Sequence, residues 1–75
     1  MLALRRFDEA IRELRRAVEI DPRSLNAHYN LGRALAARGL RREAVEQMEA
    51  ALRIAPSDPD ARQALAELKA GRFEN

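Results

Sequence analysis

The chain has 75 residues, and its 13 arginines and one lysine face 12 carboxylates, for a net charge of +2. With no cysteine and one histidine, it has no disulfide framework, no thiolate metal site or nucleophile, and no multi-histidine metal site. A chain this short forms one small domain that buries only about 60–65% of its unfolded surface, so its core is lean.

The first helix is predicted over about Ala3–Ile20. Leu4, Phe7, Ile11, Leu14 and Val18 step by 3 and 4, which draws one apolar stripe. Arg12, Glu13, Arg15, Arg16 and Glu19 lie mostly off that stripe. Asp21-Pro22 ends the helix. Met1–Leu4, an apolar run matched in length by Ala34–Ala37, is far short of the ~20 residues that span a bilayer. Arg5 and Arg6 follow that run instead of preceding it, so it is not a signal-peptide pattern.

The second helix is predicted over about Leu25–Ala37. Ser24 is placed to cap it by accepting an orphan backbone N–H. Gly39 is placed to take the left-handed conformation that closes a helix. The third runs from about Arg42 to Ile54, with Leu40, Ala44, Val45, Met48, Ala51 and Leu52 expected to face inward. Asp58 caps a fourth helix that starts with Pro59 at its first position, a favoured arrangement. It runs to about Lys69, anchored by Leu65 and Leu68, and Gly71 ends it.

A motif recurs at a spacing of 34 residues. Ala10-x3-Leu14-x2-Ala17-x4-Pro22 returns as Ala44-x3-Met48-x2-Ala51-x4-Pro56. Small alanines at helical spacing let helices approach closely, and each proline stops the helix before it. Glu9/Glu43, Ile20/Ile54, Ala27/Ala61 and Leu31/Leu65 also repeat at this distance. Between the copies stands His28-x2-Leu31-Gly32-x2-Leu35, followed by Gly39. This pattern resembles the tetratricopeptide repeat, whose signature is Trp-x2-Leu-Gly-x2-Tyr, then Ala-x3-Phe, then Pro. Leu31, Gly32, Ala44, Ala51 and Pro56 match. His28, Leu35 and Met48 replace the usual Trp, Tyr and Phe, and each replacement lightens the core.

The resemblance implies an all-α fold, a right-handed stack of antiparallel helical hairpins with four helices. A single domain is expected over 1–75, with a partial repeat at 1–24, a complete repeat at 25–58 and a partial repeat at 59–75. Gly71-Arg72-Phe73 followed by an acid resembles the turn of a further repeat, so the chain reads as a piece of a longer array or a shortened descendant of one. The implied function is non-catalytic protein–protein interaction, with a peptide or partner helix held in a concave groove within a larger scaffold or assembly. By motif position the second helix presents Asn26, Tyr29, Asn30, Arg33 and Ala37 to that groove, and the fourth adds Asp60, Gln63 and Glu67. Tyr29 and Arg33, one turn apart, pair an aromatic face with a forked donor.

Open repeat ends imply a homo-oligomer. Leu4, Phe7, Ile11 and Leu14 at one end, and Ala61, Leu65 and Leu68 at the other, are expected to be partly exposed and mutually complementary. The alternative reading is a small basic nucleic-acid-binding helical protein. Arg5-Arg6, Arg15-Arg16 and Arg41-Arg42 would track phosphates, and Leu35-x3-Gly39-x5-Val45 has the outline of a helix-turn-helix. Glutamates interleaved on the same helices favour a solvated face of mixed charge instead, through pairs such as Glu9/Arg12 and Glu49/Arg53. His28 has no second ligand or acid one turn away and is assigned to packing. Asp58 and Asp60 are flanked by prolines and are assigned to the cap and loop. No metal, cofactor or enzyme site is expected, and the compartment expected is the cytoplasm. Arginine over lysine with abundant alanine is the composition of a GC-rich bacterial genome.

Overall fold

The computed structural model describes the backbone of residues 2–71 and the side chains of residues 6–71. Four helices follow one another: α1 (Leu2–Ile20), α2 (Leu25–Ala37), α3 (Arg41–Ile54) and α4 (Pro59–Lys69). Among the described residues there is no strand. Each helix packs on the next, and α2 also touches α4. The fold is a stack of helical hairpins. The Gly71-Arg72-Phe73 turn lies largely outside the described residues.

Local chemistry sets the helix ends. The Ser24 hydroxyl accepts the Ala27 N–H at 3.1 Å, and the Asp58 carboxylate accepts the Ala61 N–H at 2.9 Å. Pro59 opens α4, where its missing N–H costs nothing. At the end of α2, Gly39 turns left-handed with φ 85°. Its N–H then reaches the Ala36 carbonyl and the Leu40 N–H reaches the Leu35 carbonyl, two bonds that satisfy the last turn of α2. This turn reverses the chain into α3.

The core is built from Ile11, Leu31, Leu35, Ala36, Ala44, Met48, Ala64 and Leu68. Gly32 and Ala44 set the spacing of the α2–α3 hairpin. A Cβ on Gly32 would lie 2.8 Å from the Met48 terminal methyl carbon and 3.4 Å from the Ala44 carbonyl oxygen. Leu35 and Met48 fill the places where the related signature carries aromatics, and both are buried. His28 is buried too, with both ring nitrogens used. Nε2–H donates to the Pro22 carbonyl at 2.7 Å, and Nδ1 pairs with the Gln47 side-chain amide at 2.8 Å. No buried side-chain nitrogen or oxygen among the described residues lacks a partner.

Some expectations need correction. Leu40 does not face inward: it is the residue before α3 and is 40% exposed. The pairs Glu9/Arg12 and Glu49/Arg53 do not form. The ion pairs instead join different helices, Arg15 with Glu43 at 3.1 Å and Arg38 with Asp8 at 3.0 Å. Both are exposed and contribute little stability; their geometry ties α1 to the α2–α3 hairpin. Arg41 reaches across to the end of α4, where its guanidinium donates to the carbonyls of Leu68 (2.7 Å) and Lys69 (3.1 Å). The Leu68 carbonyl also accepts the Gly71 N–H at 3.1 Å, so Arg41 adds to the bonding of the last helical turn and acts as a side-chain cap there.

Candidate functional site

Because α2 and α4 touch while α3 packs behind them, one face of each lines a shared cleft. Its volume is about 320 Å³, and it is lined by Tyr29, Arg33, Asp60, Gln63, Ala64 and Glu67. Helical spacing explains the lining. Tyr29 and Arg33 are four residues apart on α2, and Asp60, Gln63 and Glu67 step by 3 and 4 on α4, so each set forms one row. Ala64, buried in the core, is the small floor between the rows.

The two walls differ chemically. On α2 the Arg33 guanidinium carbon stands 5.8 Å from the centre of the Tyr29 ring, a cation–π distance. Tyr29 itself packs partly against the core, which fixes the ring. On α4 a carboxylate stands at each end of the row with the Gln63 amide between them. Arg33, Asp60 and Glu67 form no ion pair with any described residue. The cleft therefore offers an aromatic face, a forked donor, an amide and two carboxylates whose charges remain uncommitted. These groups suit hydrogen bonding to an extended backbone and pairing with charged side chains.

Five of the residues expected to face the groove, Tyr29, Arg33, Asp60, Gln63 and Glu67, come together here. Asn26, Asn30 and Ala37 do not line the cleft; all three are exposed on α2. Asn30 is one residue from Tyr29, which turns it about 100° around the helix. Ala64 had no polar signal to mark it. Arg23 and Arg53 flank a second pocket, between the α1–α2 loop and the end of α3, and neither stood out in the sequence.

The expected self-association residues are scattered in their exposure. Phe7 is 37% exposed, and Leu14 and Leu65 are half-buried. Ile11 is buried in the core, and Ala61 and Leu68 are fully buried. The expected exposure of Ile11, Ala61 and Leu68 is therefore overturned, since α1 turns the first and α4 the other two inward within the same chain. The side chain of Leu4 lies outside the described residues. A contact between open ends would have to be built from Phe7, Leu14 and Leu65 among the described residues.

Among the described residues, no group of three or more His, Cys, Asp or Glu side chains is placed to hold a metal ion. No described helix is long and apolar enough to cross a membrane. A comparison with protein families matches the tetratricopeptide repeat over residues 1–70. A comparison with curated proteins finds no match.

Proposed function

The chain belongs to the tetratricopeptide-repeat family, and from that premise we propose that it is a non-catalytic module holding a peptide or partner helix in the α2–α4 cleft. Repeats of this family generally mediate protein–protein interaction. The observation that carries the finer reading is the convergence of Tyr29 and Arg33 with Gln63 and Glu67 on one cleft. Residues 25–58 supply the complete repeat in this reading, and 59–75 supply the second wall. As part of a larger scaffold, the module would present this face to its partner.

Tyr29 and Arg33 are the side chains assigned most of the binding energy. Aromatic and arginine anchors dominate protein interfaces, and removing one often costs about 2 kcal/mol or more. The test begins with peptides selected from a display library against the native protein. Their affinity for a Tyr29→Ala/Arg33→Ala variant should fall at least tenfold while its melting temperature stays close to the parent's. Selected peptides that bind the variant as tightly as the parent would remove the cleft from the account.

A further inference from the structure

We propose that a second surface, the pocket between the α1–α2 loop and the last turn of α3, binds an acidic peptide segment carrying an aliphatic side chain. Pro22, Arg23, His28, Ala50, Arg53 and Ile54 line a half-open pocket of about 540 Å³. It shares no lining residue with the α2–α4 cleft. The volume is within the range of pockets that take a ligand group.

Charge gives the first argument. Arg23 and Arg53 are exposed, and neither forms an ion pair with a described residue. The lining holds no Asp or Glu. Elsewhere in the fold Arg15, Arg38 and Arg41 are engaged, the first two by carboxylates and the third by helix-end carbonyls. Two uncommitted guanidinium groups beside one pocket match a carboxylate, which each can hold through two parallel bonds.

The rest of the lining narrows the partner. Pro22, Ala50 and Ile54 form an apolar wall, and Ile54 is 38% exposed. His28 forms part of the wall but offers no free ring nitrogen, because Pro22 and Gln47 occupy both. Recognition therefore falls to the two arginines and the apolar wall. The loop is held in place before any ligand arrives. The Asp21 carboxylate accepts the Arg23 N–H at 3.2 Å, the Asp21 carbonyl accepts the Ser24 N–H at 3.1 Å, and Pro22 is tied to His28. A preformed pocket spends less entropy on binding.

An acidic peptide fits this surface better than a nucleic acid. Phosphate backbones are held by rows of cations, and only two stand here. The apolar wall has no use for phosphate but covers an aliphatic side chain.

The probe is a fluorescent hexapeptide of alternating glutamate and leucine, followed by anisotropy, with the lysine–leucine counterpart and single-stranded oligothymidylate in parallel arms. The glutamate peptide should bind at least tenfold more tightly than the lysine peptide. Arg23→Gln/Arg53→Gln should weaken it at least tenfold, and Ile54→Ser should weaken it without any change of charge. Tyr29→Ala/Arg33→Ala should leave it unchanged. Absent or charge-independent binding, or indifference to the arginine and Ile54 substitutions, overturns the proposal. Tighter, steeply salt-dependent binding of the oligonucleotide through the same arginines overturns it in favour of nucleic acid.

Discussion

Ala44→Leu should lower the melting temperature by roughly 4–24 °C. Ala44 is fully buried where α3 crosses α2, and its carbonyl oxygen already lies within 3.4 Å of the place a Cβ on Gly32 would occupy. Met48, 1% exposed, fills the space beside it. Three more carbons have nowhere to go unless the helices separate. Overfilling a packed core costs about 1–3 kcal/mol. A domain of this size has a total stability of only about 4–11 kcal/mol at the usual stability per residue, and each kcal/mol moves the melting temperature by about 4–8 °C. Ala66→Leu, at an exposed position on α4, is the control and should shift it little. Thermal melts followed by circular dichroism compare the two, and an unchanged melt for Ala44→Leu would refute the close hairpin.

Leu68→Ala should release α4 and empty the cleft of one wall. Leu68 is fully buried in the last turn of α4 and belongs to the common core. Truncating a buried leucine costs about 2–5 kcal/mol, the spread depending on how well the site collapses. The loss falls on the final described helix, which rests on α3 and the edge of α2. Arg41 holds the same turn through the Leu68 and Lys69 carbonyls, so the cap loosens with the packing. Asp60, Gln63 and Glu67 depart with α4. Amide exchange in the variant should accelerate across residues 59–69 more than across α2 and α3, and affinity for selected peptides should fall at least tenfold. Native protection of α4 together with native peptide affinity would contradict this account.

Much of the architecture was legible because its signals are local. Ser24, Asp58, Pro59 and Gly39 act on backbone groups within a few residues of themselves, so their effects can be read along the chain. The expected bounds of α2 and α4 agree with those observed, and α1 and α3 each begin one residue earlier than expected. The pairing of Tyr29 with Arg33 was legible for the same reason, as one turn of one helix. What failed depends on neighbours distant in sequence. Arg15 and Arg38 chose carboxylates 28 and 30 residues away over local ones, and Arg41 caps a helix 27 residues on. The burial of Ala61 and Leu68 follows from the rotation of α4 against α3, which periodicity alone does not set. Leu40 is apolar but falls in the turn, where the hairpin has already opened to solvent.

The most direct measurement is an amide chemical-shift map of the ¹⁵N-labelled protein titrated with a peptide selected on it. The account predicts that the largest changes cluster at Tyr29, Arg33, Gln63 and Glu67, on the facing rows of α2 and α4, with α1 undisturbed. Changes confined to residues outside the cleft would contradict the claim that this face holds the partner.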